Sequence, residues 1–220
     1  MRIGFIHATC NAVAPIMETA RVLYPDVTVV NFVDEQLLEH ANQVGGIDPA
    51  GLRQFAKLLF SAAQANLDGI VVACTIYSPM AAYFQPFLEV PIVGIDRAMI
   101  EQAVDSGEKI GLLGTTAPSV PAMKQQMLEY AASVGKVPVM ETRTVAEAMA
   151  RLRAGDLQAH DDLIRWAALE LISEGCTTIV LSQITMARVK ILLQIPGITV
   201  LTSPETGLAR IMRLVKQNQT

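Results

Sequence analysis

Aromatic residues make up only 5% of this 220-residue chain and charged residues only 17%. The net charge is −4, and the 17 Lys and Arg residues form neither a cluster nor a stripe interleaved with aromatics. That argues against nucleic acid as a partner. The three cysteines, Cys10, Cys74 and Cys176, are odd in number and widely spaced. They suit neither a disulfide framework nor a CxxC metal pattern, and they point to a reducing compartment. No pair among His7, His40 and His160 has metal-ligand spacing, so no metal is expected. Neither GxGxxG nor GxxxxGK[ST] occurs, so no nucleotide cofactor is expected. The longest apolar stretch, residues 69–84, is interrupted by Thr75, Tyr77, Ser78 and Pro79 and is too short for a membrane span. The opening MRIGFIHAT reads as a strand rather than a charged region followed by an apolar leader. A cytoplasmic location with no membrane partner is therefore expected.

What is abundant is aliphatic. Hydrophobic residues reach 51%, and mean hydropathy is +0.37. A chain of this composition buries a large core, which excludes disorder as its main state. Short apolar runs bounded by turn residues predict strands at 2–7, 27–31, 69–74, 92–95, 109–114, 137–141, 177–182 and 198–201. Most are continuously apolar rather than alternating, as parallel strands buried on both faces are. Helix-period segments lie between them, including 50–67, 119–133, 157–174 and 205–216. Asp48-Pro49, Ser78-Pro79 and Ser203-Pro204 each place a capping side chain before a proline at a helix start. The alternation predicts an α/β fold.

The two halves of the chain repeat one another. Ile3-Gly4-Phe5-Ile6 is answered by Ile110-Gly111-Leu112-Leu113 at an offset of 107, and Ile70-Val71-Val72-Ala73-Cys74 by Ile179-Val180-Leu181-Ser182-Gln183 at an offset of 109. The repeat predicts two similar lobes, each a mostly parallel sheet flanked by helices, related by a pseudo-two-fold axis. The first covers 1–97, joined by a terminal helix at 203–220, and the second covers 98–202. Open α/β sheets bind ligands beyond the carboxyl ends of their strands. The site is therefore expected in a cleft where the two sets of ends converge.

The residues at those ends carry the available chemistry. Cys74 finishes an apolar strand just before an expected helix start, where backbone N–H groups lower a thiol pKa. Cys10, in the first strand-to-helix loop, and His7, at the end of the first strand, are further candidates for acid–base roles. Thr9, Asn11, Thr75, Tyr77 and Ser78 in the first lobe offer polar groups to a substrate. Thr115, Thr116 and Ser119 cluster before a helix, where hydroxyls and amides together suit a carboxylate. Gln183 occupies the repeat position of Cys74, with Thr185 close behind. Ile76, Ile184 and Met186 could supply an apolar wall. Cys176, His40 and His160 read as structural or surface residues. The acidic pairs Asp34-Glu35 and Asp161-Asp162 read as solvated helix faces. Helix faces bearing Leu and Met leave room for a homodimer.

The opening strand and polar loop, VVACTIYSP around Cys74, IGLLGTTAPSV around Thr115 and TTIVLSQITMARV around Gln183 follow one another over nearly the whole chain. In that order and spacing they resemble the aspartate/glutamate/hydantoin racemase superfamily, which includes arylmalonate decarboxylase and maleate isomerase. The resemblance implies two α/β lobes and an enzyme without pyridoxal phosphate or metal. It implies a small carboxylate-bearing substrate and proton transfer by two cysteines on opposite faces of that substrate. Cys74 matches the first cysteine, whereas Gln183 stands at the second position and cannot transfer a proton in that way. Arylmalonate decarboxylase works with one cysteine, though in the second lobe, and in maleate isomerase-like members the first-lobe cysteine is a nucleophile. An isomerase is expected, with a one-cysteine lyase or a non-catalytic carboxylate-binding relative as alternatives.

Overall fold

The computed structural model describes residues 1–218 and divides them into two compact units, residues 1–97 with 204–218 and residues 98–203. The first unit holds β1 (Arg2–His7), α1 (Val13–Leu23), β2 (Thr28–Val33), α2 (Gln36–Val44), α3 (Pro49–Ala63), β3 (Gly69–Ala73), α4 (Met80–Phe84) and β4 (Ile92–Gly94). The second begins within α5 (Arg97–Asp105). It continues through β5 (Ile110–Gly114), α6 (Ser119–Ser133), β6 (Met140–Thr144), α7 (Ala146–Arg153), α8 (Leu157–Ser173), β7 (Thr178–Leu181) and β8 (Thr199–Thr202). The last helix, α9 (Ser203–Asn218), returns to the first unit.

Each unit contains a four-stranded, all-parallel sheet, ordered β2-β1-β3-β4 in the first and β6-β5-β7-β8 in the second. The register matches the sequence repeat: Ile3 pairs Gly69 in the first sheet, and Ile110 pairs Thr178 in the second. The central strands β3, β5 and β7 are buried along their whole length, and β1 from Ile3 onward, because helices cover both faces. In the first unit Ile6, Ile70 and Val72 face α2 and α3 through Leu37, Phe55 and Leu59. On the opposite face α9 lies so close that a Cβ on Gly69 would sit 2.9 Å from Ile211 Cδ1 and Val215 Cγ2. In the second unit Ile110, Leu112 and Val180 face Met99, Met123 and Met127 of α5 and α6. Leu113, Ile179 and Leu181 face Ala148, Ile164 and Leu171 of α7 and α8. Side chains alternate across a strand, which sends neighbours into different cores.

Several boundaries differ from expectation. The strand expected at 137–141 lies at Met140–Thr144, because Pro138 cannot donate to a ladder and Val137 and Val139 are exposed. Asp48 caps α3 as expected, accepting from Gly51 N–H at 2.8 Å. Ser78 caps nothing: α4 starts at Met80, with Pro79 in the cap position and no side-chain cap bond. Ser203 is already the first residue of α9. A ten-residue 3-10 helix, Ile184–Leu193, was not foreseen. Among the described residues no helix is long and apolar enough to cross a membrane.

Candidate active site

In the first unit the chain leaves β1 at His7 and turns through Thr9, whose hydroxyl oxygen accepts from Asn11 N–H at 3.4 Å. Asn11 and the Cys10 thiol are exposed. The Cys10 N–H donates to Glu35 Oε1 at 3.0 Å. Glu35 was expected on a solvated helix face. It reaches this loop because β2 runs on to Val33, two residues beyond the expected end, so Asp34 and Glu35 follow a strand end directly. The clue was Phe32-Val33, an apolar pair continuing the strand.

On the neighbouring strand, β3 passes into a tight turn in which Ser78 N–H donates to Cys74 O at 2.7 Å. Cys74 is half-buried and packs against the core of Ile6, Ala8 and Val72. Burial pushes its thiol up to about 11, against the help of Tyr77 and Ile76 N–H groups that hydrogen-bond the sulfur, and the charge of Asp96 adds to the rise. The expected lowering by a helix start is thus reversed, since the first regular helical residue is six positions away. Asp96, fully buried just beyond β4, was missed by the sequence reading, although a carboxylate directly after an apolar strand was the available signal.

The remaining first-unit candidates separate. Thr75 is half-buried within the turn. Ser78 is buried against β4, where a Cβ on Gly94 would meet its carbonyl oxygen at 2.6 Å. Tyr77 is a core residue rather than a substrate ligand: it is 1% exposed, stacks on Phe55 with ring centroids 5.2 Å apart, and directs its hydroxyl to Leu37 O at 3.5 Å. His7 is fully buried and packs beside Phe5, on the sheet face opposite Ile6 and Cys74. Asn31 directs its amide N–H₂ to Met17 Sδ, so its Oδ1 accepts from His7 Nε2 at 2.9 Å. Burial holds the His7 imidazole below its usual value, with the Asn31 bond opposing. These contacts give it a structural role and do not bring it to Cys74.

In the second unit, the ends of β5 and β7 are tied together by Gln183. Its Oε1 accepts from Thr115 N–H at 2.6 Å and Thr115 Oγ1 at 2.8 Å. Its Nε2 donates to Thr116 Oγ1 and Ser119 Oγ, both at 3.1 Å. Ser119 Oγ in turn donates to Thr116 O at 2.9 Å. Gly114 permits this approach, since a Cβ there would meet Ser182 Oγ at 2.8 Å and Ser119 Oγ at 3.0 Å. Thr185 is half-buried in the 3-10 helix, with its hydroxyl enclosed and unpartnered. Ile76 is half-buried and Ile184 buried, whereas Met186 is fully buried in the α8 core and lines no site.

His160, expected on the surface, is fully buried, with Nδ1 2.7 Å from Asp161 Oδ1. Arg188 Nε donates to both oxygens of Asp161, so that carboxylate joins α8 to the 3-10 helix rather than facing solvent. His40 is half-buried and 2.7 Å from Asp48 Oδ1. Cys176 is buried as expected. Among the described residues no group of three or more His, Cys, Asp or Glu could hold a metal ion.

The family model of the Asp/Glu/Hydantoin racemases matches residues 37–210, which include Cys74, Thr115 and Gln183. The fold is similar to that of Picrophilus torridus aspartate racemase, with a TM-score of 0.74 and 15% identity over 98% of this chain and 94% of that one. It is similar to glutamate racemase from Thermus thermophilus, with a TM-score of 0.71 and 21% identity over 99% and 81% of the two chains. It is also similar to allantoin racemase from Klebsiella pneumoniae, with a TM-score of 0.69 and 16% identity over 99% and 89%. Comparison with curated proteins gives no match.

Proposed function

Because the chain belongs to the Asp/Glu/Hydantoin racemase family, we propose that it is a cofactor-independent isomerase in which Cys74 moves a proton at a carbon beside a carboxylate or carbonyl. The substrate is a small acid, amino acid or hydantoin. The observation that carries this reading is the setting of Cys74: a thiol at the carboxyl end of a central parallel strand, hydrogen-bonded by the N–H groups of Ile76 and Tyr77. Those two amides stabilise the thiolate that forms when Cys74 gives up its proton, and they are fixed before reaction begins.

With its thiol at about 11, Cys74 rests protonated near neutral pH. Ionising it at pH 7 costs about 5 kcal/mol, at 1.36 kcal/mol per pH unit. That is a fraction of the roughly 15 kcal/mol barrier of an enzyme turning over at the order of 100 s⁻¹. Cys74 can therefore act in both directions, as base from the thiolate and as acid from the thiol. Cys10, exposed past the end of the adjacent strand β1, is the candidate for the second proton carrier.

The protonated resting state also favours a second reading, a decarboxylase. The bond from the α-carbon to a departing carboxylate breaks, its electron pair stays on carbon, and the Cys74 proton is delivered there. The thiolate then takes a proton from water.

The test is proton NMR in deuterated buffer with aspartate, glutamate, hydantoins, maleate and substituted malonates, alongside Cys74→Ser. Deuterium entering beside the carboxylate with loss of optical purity, abolished by Cys74→Ser, supports the isomerase. Deuterium entering only with release of carbon dioxide supports the decarboxylase. Exchange unaffected by Cys74→Ser overturns both.

A further inference from the structure

Gln183 was expected to bind substrate, yet its carboxamide has no capacity left for one. The oxygen has two lone pairs and the nitrogen two protons. All four are taken, by Thr115 N–H, Thr115 Oγ1, Thr116 Oγ1 and Ser119 Oγ. Thr115, Thr116 and Ser119 are the residues whose donors suit a carboxylate oxygen. In the folded protein two of those donors already converge on one oxygen, at 2.6 and 2.8 Å, and that oxygen belongs to the chain itself. Thr115 is 1% exposed, so water is a poor substitute for the acceptor that Gln183 supplies.

We infer that Gln183 is a specificity-determining residue whose carboxamide oxygen fills the donor pair of Thr115 and closes the second unit to a free carboxylate. A tethered group competes at an effective concentration of about a millimolar or more. An incoming carboxylate must displace it and leave Thr116 and Ser119 without their donor. The charge of a carboxylate strengthens each bond it accepts, but a neutral amide that is already in place needs no binding event. The consequence for substrate, which rests on the isomerase reading above, is a class with one free carboxylate or a neutral ring carbonyl. A second carboxylate finds no open donor pair at the ends of β5 and β7.

The decisive probe is the Thr115 backbone amide, followed by ¹⁵N–¹H NMR while acetate is titrated. In the unaltered protein this amide stays unmoved by acetate. In Gln183→Ala it shifts saturably with acetate, the competition of a tethered group having been removed. Acetate moving the Thr115 amide equally in both proteins overturns the inference, and so does its failure to move it in a folded Gln183→Ala. Gln183→Glu guards against loss of fold. It keeps an oxygen in place, so the Thr115 proton moves downfield and remains indifferent to acetate; an upfield move or an acetate response overturns the inference. A residue that merely braced the loop would change stability in these variants without changing acetate selectivity. Deuterium exchange then reads the substrate class: Gln183→Ala raises exchange of aspartate relative to monocarboxylates. If no acid exchanges in the unaltered protein, the role of Cys74 fails, while the acetate titration still decides the role of Gln183.

Discussion

Alkylation of Cys74 by iodoacetamide tests its electrostatic setting directly. Only the thiolate attacks. The thiol is pushed from an ordinary value of 9.0 to about 11, first by burial and then by the Asp96 charge, with the Ile76 and Tyr77 amides opposing. At pH 8 the thiolate fraction is then about one in a thousand, against about one in ten for an ordinary thiol. Peptide-resolved mass spectrometry is expected to show Cys74 reacting about a hundredfold more slowly than a reference peptide thiol at that pH. Its rate rises about tenfold per pH unit until near pH 11. The same shift is a statement about stability. Below about pH 9 the thiol is protonated in both folded and unfolded chains and has no effect. Above it the unfolded chain ionises first, so folding stability falls between pH 9 and 11. Two units correspond to about 2.7 kcal/mol, which partial solvent contact trims to roughly 1–2 kcal/mol. Urea melts of the unaltered protein and Cys74→Ala, compared across that range, isolate this contribution. An alkylation rate that levels off by pH 8 would refute the reasoning, because it would show a stabilised thiolate.

Gly94→Ala is expected to cost about 1–3 kcal/mol in urea melts and to disturb Cys74, since a Cβ there meets the Ser78 backbone. Phe55→Ala removes a fully buried ring stacked on Tyr77 and should cost about 3–5 kcal/mol by the same measurement. Tyr77→Phe loses only a 3.5 Å hydrogen bond, so a change below about 1 kcal/mol is expected, with deuterium exchange on substrate unaltered. Burial lowers the pKa of both His7 and His160. Well above pH 6.5 both are neutral whether folded or unfolded, and on acidification the unfolded chain takes up protons first. The urea midpoint should therefore fall from pH 7 to 5, and fall less in His7→Gln.

Most of the fold was legible because burial on both faces writes itself as unbroken apolar runs: 2–7 is β1 to the residue, and the Ile3 and Ile110 registers follow the repeat. The edge strand β6, METRT, was misplaced because an edge demands fewer apolar residues. The candidate site was legible as a set of strand ends but not as a set of partners. The direction of Tyr77 depends on a stacking contact with Phe55, 22 positions earlier, and the network of Gln183 joins it to Thr115 across 68 positions. The rise of the Cys74 pKa depends on the depth of packing and on Asp96. No local pattern encodes these.

The return of α9 to the first unit sets a timetable. A ribosome finishes residues 98–203, a contiguous compact unit, while the first unit still lacks the helix whose Ile211 and Val215 cover Gly69. At about 5–20 residues per second, that face of β3 stays bare for roughly 5–20 s after residue 97 has been added. A chaperone that meets the nascent protein in this interval finds an apolar sheet face on offer. The half of the protein that is made first is the half that is completed last.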